Sequence, residues 1–126
     1  MKTNTFAVIT GGLLLTLAAG ASHAGGRYTN PPDGLVETFG LCTKGLEAAK
    51  KGDKEAALEN AKQARKISLN SYKEISTMPM EIASSSMKKA LAALDSGDVA
   101  ASVPEFEHCV TKLTDEIDYY KKEGKL

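Results

Sequence analysis

Two stretches of this chain decide the fold: KGLEAAKKGD at residues 44–53 and KALAALDSGD at residues 89–98. They begin 45 residues apart, and Lys, Leu, Ala, Gly and Asp match in place. In each stretch a helical pattern ends at Gly-Asp, because Gly suits the left-handed position after a helix and Asp suits the N-cap of the next one. We therefore predict an internal repeat of two helical hairpins, against the alternative of a chance match between two Ala- and Lys-rich helices. The predicted helix-turn residues are Gly52, Asp53, Gly97 and Asp98.

Working outward from these turns, apolar residues recur at spacings of three and four, the pattern of helices that bury one face. We predict helix one at residues 34–51, helix two up to about residue 76, helix three after residue 77 and helix four after residue 98. Two hairpins of this length make an all-α, antiparallel up-down four-helix bundle, residues 34–126. The predicted core of the first two helices is Leu35, Phe39, Cys42, Leu46, Ala49, Ala57, Ala61, Ala64, Ser68, Ser71 and Ile75. The predicted core of the last two is Met80, Ala83, Met87, Ala90, Leu94, Val103, Phe106, Val110, Leu113, Ile117 and Tyr120.

The helix starts carry capping residues. Asp33 can cap helix one, and Thr77 can cap helix three with a proline in its first turn. Helix four has two possible starts. If Asp98 is the cap, Pro104 lies in the second turn and should kink the helix; if Ser102 is the cap, Pro104 takes a tolerated place. We favour a short turn at Asp98 followed by the main helix.

Composition limits the class of protein. The chain has 126 residues with 16 basic and 16 acidic side chains, which allows one domain at most and gives no basic excess for a nucleic-acid binder. The 42% hydrophobic and 25% charged content is that of a globular protein. Of the two Cys and two His, His23 belongs to the N-terminal segment that we predict below to be cleaved, which leaves too few ligands for a four-ligand Cys/His zinc site.

The N-terminus has the features of an export signal. Lys2 supplies a positive charge, an apolar run from Phe6 to Ala19 follows, and small residues precede Gly25. We predict a cleaved signal peptide at residues 1–24, against an uncleaved membrane anchor, for which the run is short. An N-terminal tether at residues 25–33 follows, and no membrane span remains after cleavage. We expect a periplasmic or secreted protein of 102 residues with formal charge −1.

The two cysteines are placed to meet. Cys42 lies 10 residues before Gly52 and Cys109 lies 12 after Gly97. Both therefore lie about 15–18 Å from the same end of the bundle, on helices that are neighbours. An oxidising compartment favours a Cys42–Cys109 disulfide between the first and last helices. The alternative is two free buried thiols.

Candidate ligands for a metal are few. Met78, Met80 and Met87 cluster at helix three, and thioethers suit Cu(I). Core packing is the competing interpretation of these methionines. His108 remains after signal cleavage, and with Glu105 it could hold a metal at the surface, although the periodicity places it on a solvated face. No nucleophile, base and acid set is present, so we predict no catalytic residue and no enzyme.

The phrases KGLEAAKKG at residues 44–52 and ENAKQA at residues 59–64, with the signal segment, resemble the small metal-binding protein family. The resemblance covers about residues 41–112. It implies a periplasmic four-helix bundle that binds copper or other divalent metals through helix-borne histidines, of which His108 alone stands on the matching helices. The Gly-Asp turns also look like part of a tetratricopeptide repeat, but the 45-residue period does not fit that family.

These observations give two functional expectations. The first is an exported, non-enzymatic helical-bundle accessory or binding protein that acts on a protein partner or a small ligand, without a cofactor. The second is a periplasmic metal-binding protein that handles copper or another divalent cation.

Overall fold

A computed structural model describes residues 27–126, which form four α-helices. Their bounds are α1 Leu35–Lys50, α2 Lys54–Glu74, α3 Met78–Asp95 and α4 Val99–Lys122. Each helix packs against its neighbour in the chain, and α1 also packs against α4. Short connections make consecutive helices antiparallel, so the predicted all-α four-helix bundle is confirmed. The predicted signal peptide and the first two residues of the tether lie outside the described residues.

The two Gly-Asp turns have the same geometry. Gly52 and Gly97 have φ of 78° and 86°, the left-handed region that favours glycine. The Asp53 N–H donates to the Ala48 carbonyl at 2.8 Å, and the Asp98 N–H donates to the Ala93 carbonyl at 2.9 Å. Both are the six-to-one bond of a Schellman ending. Each Asp carboxylate then caps the next helix, accepting from the N–H of Ala56 at 3.1 Å or Ala101 at 3.0 Å.

The core fills the space between the four helices, and the predictions for α3 hold best. Its five predicted core residues are all fully buried. On α2 the small residues Ala57, Ala61, Ala64 and Ser68 are fully buried, while Ile75, predicted to be in the core, is 52% exposed just beyond the helix end. Small side chains on α2 allow its neighbours to approach closely, so the larger side chains of α1, α3 and α4 supply most of the buried area.

The buried face of α1 differs from the predicted one. Phe39 and Leu46 are only half-buried, whereas Thr38 and Gly45 are buried. The cause is Phe106 of α4, which is fully buried against Gly45. A Cβ at position 45 would lie 2.8 Å from Phe106 Cδ1 and Cζ, so the aromatic ring occupies the space that a side chain would need.

The predicted start of the main part of helix four is wrong. Asp98 is the N-cap and α4 runs without a break through Pro104. Ser102 is inside the helix, and its hydroxyl donates to the Val99 carbonyl at 2.6 Å instead of capping. Pro104 removes one backbone N–H, but Pro104 and Ala100, whose carbonyl loses its partner, are both exposed. Water can therefore satisfy that carbonyl.

One predicted cap is wrong, and another is confirmed in its position only. Gly34, not Asp33, is the N-cap of α1, with φ of 81° and no side-chain bond. A Cβ at Gly34 would lie 2.6 Å from Ile67 Cγ2 of α2, so close packing as well as conformation requires glycine there. Thr77 is the N-cap of α3, but its hydroxyl makes no capping bond.

The bundle has two different ends. The Gly-Asp turns form one end, which we name the turn end. The other, which we name the tether end, contains residues 27–34, the connection at residues 75–77 and the last turns of α4. In residues 27–126, no helix combines the length and apolar character that a membrane crossing requires.

Candidate functional site

The tether end contains a cleft built from three separate parts of the chain. The tether lies against the connection between α2 and α3 and against the last turns of α4. Pro32 is buried and anchors the tether, while residues 27–30 remain exposed. The Pro-containing tether cannot continue α1, so it runs across the end of the bundle as an irregular segment with a bend at residues 29–30.

An ion pair holds the first described residue in place. Arg27 Nε donates to Glu116 Oε1 at 3.2 Å, and the Arg27 guanidinium carbon lies 4.2 Å from the centre of the Tyr119 ring. The Glu116 side chain is only 10% exposed and the Arg27 side chain is 43% exposed. Burial of a carboxylate is costly without a partner, so Arg27 compensates a charge that α4 places inside the cleft.

Tyr120 fixes the backbone of the tether. Its hydroxyl donates to the Tyr28 carbonyl at 2.7 Å, and its ring meets Tyr119 edge to face at 5.1 Å. Burial raises the pKa of Tyr120 above its ordinary value, and the nearby Glu116 and Tyr119 add to that shift while Arg27 opposes it. The phenol therefore stays protonated and remains a hydrogen-bond donor to the tether.

Two cavities of about 300 and 440 Å³ lie side by side in the cleft. Tyr28, Pro32 and Thr77 line both of them, so the tether and the α2–α3 connection form the wall between the two. The first cavity also has an apolar side at Met78, Pro79 and Ile82 and a charged rim. The rim residues are Arg27, Lys112, Asp115 and Glu116.

The Thr77 hydroxyl in this wall is unusual. Thr77 is only 6% exposed, and its Oγ1 atom is buried without a hydrogen-bond partner. A buried hydroxyl without a partner costs about 1–3 kcal/mol, which native structures rarely leave uncompensated. Thr38 Oγ1 on α1 is the other buried side-chain atom without a partner among the described residues.

Large apolar side chains are exposed at this end of the bundle. Among the described residues, the strongly exposed large hydrophobic side chains lie in four places. These are the tether, the α2–α3 connection with the start of α3, the start of α1 and the C-terminus. They are Tyr28, Val36, Ile75, Met78 and Leu126. An apolar surface with a polar rim marks sites of ligand or partner binding.

The predicted disulfide between Cys42 and Cys109 is present in the structure. Cys42 and Cys109 form a disulfide, their Cα atoms are 6.3 Å apart, and both side chains are fully buried. The bond joins α1 to α4 near the middle of the bundle, at the matched depth that the spacing predicts. A disulfide is compatible with export to an oxidising compartment.

The predicted metal residues lie in different surroundings. Met80 and Met87 are fully buried in the core, Met78 is 63% exposed at the tether end, and His108 is exposed on α4. Glu105, one turn before His108, is half-buried. Within residues 27–126, no group of three or more His, Cys, Asp or Glu side chains is close enough to hold a metal ion. The five candidates thus share no environment, and the two buried methionines act in core packing.

Sequence patterns do not identify Arg27, Tyr28, Glu116 and Tyr120 as parts of one cleft. Tyr120 is predicted as a core residue, which its burial confirms, and residues 25–33 are predicted only as a tether. One signal was present in the sequence: Arg27 and Tyr28 stand in an otherwise Gly-, Asn- and Pro-rich segment. Large side chains of this kind in a tether need a reason beyond turn formation.

Comparisons with other proteins add no further information. No protein-family model, curated protein or solved structure matches this chain.

Proposed function

We propose that this chain is an exported, non-enzymatic binding protein that acts in the periplasm or outside the cell. It uses the cleft at the tether end to bind a ligand or partner segment with an apolar body and at least one polar group. The observation that carries the proposal is the pair of adjacent cavities of about 300 and 440 Å³, the first of which has an apolar side and a charged rim. Cavities of a few hundred Å³ with apolar walls and a few polar groups are typical of binding sites.

The composition of the cleft supports this ligand chemistry. Met78, Pro79 and Ile82 offer apolar contact, while Lys112 and Asp115 at the exposed rim can orient a polar group of either sign. The disulfide and the two Schellman turns support the helices that carry these side chains. A rigid bundle with a preformed apolar cleft at one end can bind a ligand without a large rearrangement of its helices.

The test uses a defined apolar probe, the fluorescent dye anilinonaphthalene sulfonate. We expect saturable binding to the native chain and a loss of about tenfold in affinity for Met78→Glu, about 1.4 kcal/mol, because a charge replaces the apolar edge of the cleft. Ala100→Glu is the matched control. It also adds a Glu to an exposed first turn of a helix, but at the turn end. Equal affinities for the two variants, or no saturable binding, would refute the proposal.

The same protein preparation tests the competing proposal of metal handling. Calorimetric titration with Cu(I), Cu(II), Ni(II) and Zn(II) would support it if any ion binds with a Kd below about 10 µM, a free energy near −7 kcal/mol. Exposed Met78 and His108 are the candidate ligands outside the core. Met78→Leu and His108→Gln would then weaken that binding.

A further inference from the structure

The tether is seated on the bundle in the way that a bound peptide would be. Its contacts use groups that any extended peptide could present: a guanidinium on Glu116 and Tyr119, and a backbone carbonyl that accepts from Tyr120. The Tyr28 hydroxyl adds a long bond, donating to the Ser76 carbonyl at 3.4 Å. Pro32 then fits into the end of the bundle and is buried.

The surface that receives the tether is larger than the tether requires. Cavities remain on both sides of it. Of the residues that line both cavities, Tyr28 and Pro32 belong to the tether and Thr77 to the α2–α3 connection, so removal of the tether would join the cavities above Thr77 into one groove. The α2–α3 connection and α4 form the sides of this groove.

Part of the tether is open to solvent. Tyr28 is 47% exposed, and the Arg27 side chain is 43% exposed. The Glu116 side chain is only 10% exposed, so a segment that displaces Arg27 must supply a cation of its own to that carboxylate. The tether is also covalently attached, which gives it an effective concentration on the order of millimolar against a competing segment.

From these observations we propose that the groove is a peptide-binding site that the tether occupies in its own chain. The partner is a protein segment with an Arg followed by an aromatic residue and, three residues later, a proline pair, as in RYTNPP at residues 27–32. Such a segment displaces the tether and takes over its contacts with Glu116, Tyr119 and Tyr120. This inference rests on the proposed function, because it names the ligand class of the same cleft.

The test adds the blocked peptide RYTNPPD, residues 27–33, to the full chain and to the variant Arg27→Ser/Tyr28→Ser. Both changed residues are exposed, so the variant keeps the fold, which circular dichroism checks. We expect the peptide to bind the variant about tenfold more tightly than the unchanged chain if its intrinsic Kd is near 100 µM, because the loosened tether no longer competes. Adding Glu116→Gln to the variant should lower its affinity for the peptide at least fivefold.

Equal peptide affinity for the unchanged chain and the variant would overturn the inference, and so would no binding to the variant at 1 mM peptide. A peptide with its Arg replaced by Ser serves as the control and should bind at least fivefold more weakly. If the dye still binds the cleft but the peptide does not, the inference fails and the proposed function stands. If neither binds, both fail.

Discussion

Loss of the Cys42–Cys109 disulfide should destabilise the bundle severely. The bond closes a loop of 67 residues between α1 and α4. In the chain-entropy model, a cross-link over this length removes enough freedom from the unfolded chain to stabilise the fold by about 4 kcal/mol. Typical domains have a total free energy of unfolding of about 5–15 kcal/mol. The bond therefore supplies a large share of the stability, and the Cys42→Ala/Cys109→Ala variant should be marginally stable.

The measurement is urea denaturation followed by circular dichroism, on the oxidised chain, on the reduced chain and on the double variant. In thermal denaturation of the same samples, each kcal/mol shifts the melting temperature of a domain of this size by about 4–8 °C, so the expected drop in Tm is about 16–32 °C. The double variant should unfold identically with and without reductant, which shows that the reductant acts only through this bond.

Two results would refute the reasoning. A reduced chain that loses less than about 1 kcal/mol would show that the unfolded chain is already constrained or that the bond strains the fold. Two thiols that react with a labelling reagent in the denatured, unreduced chain would show that the bond does not form at all.

Three further predictions concern packing, capping and ionisation. Gly45→Ala should destabilise the fold by about 1–2 kcal/mol, since the new Cβ overpacks Phe106. Gly40→Ala in the same helix, where a Cβ meets nothing within 4 Å, should stabilise the fold by about 0.5–1 kcal/mol. Changes of the same sign in the free energy of unfolding, measured by urea denaturation, would contradict this prediction. Asp53→Ala and Asp98→Ala should each cost about 1 kcal/mol in the same assay, because the two caps have the same geometry, and a harmless change at either one would contradict it. The raised pKa of Tyr120 means that the folded state disfavours the phenolate, so the contribution of this group is intact below pH 10.0 and is lost as the pH rises from there through the folded pKa. Tyrosinate absorbance should show a component that titrates above pH 10.0 and that Tyr120→Phe removes; an unchanged titration curve would contradict this.

The fold could be predicted from the sequence because its determinants are local. A Gly-Asp step after an Ala-rich helix fixes a helix end and the next cap within a few residues, and the chain contains it twice. The Cys42–Cys109 pair was predictable from the same turns, since helix geometry converts sequence distance into depth. The predicted break in α4 near Pro104 was wrong for a non-local reason. Exposure of Pro104 and Ala100 depends on the neighbouring helices, which sequence periodicity does not describe.

The candidate site was not predictable because its contacts join distant parts of the chain. Arg27 meets Glu116 across 89 residues, and Tyr28 meets Tyr120 across 92. Nothing local in a Gly- and Pro-rich segment indicates where it will lie. The rotation of the α1 core face toward Gly45 likewise depends on the Phe106 ring of α4. Sequence patterns therefore predict the scaffold, while the tether end depends on side chains that only the folded bundle brings together.

The most direct test of the account is an amide chemical-shift map of the isotope-labelled chain during titration with the peptide RYTNPPD. Because the cleft at the tether end is the proposed binding site, the tether-loosened variant Arg27→Ser/Tyr28→Ser should show saturable shifts at residues 74–82 and 112–120. The turns at Gly52 and Gly97 should show none. Shifts centred on the turn end, or spread evenly over the four helices, would contradict the account.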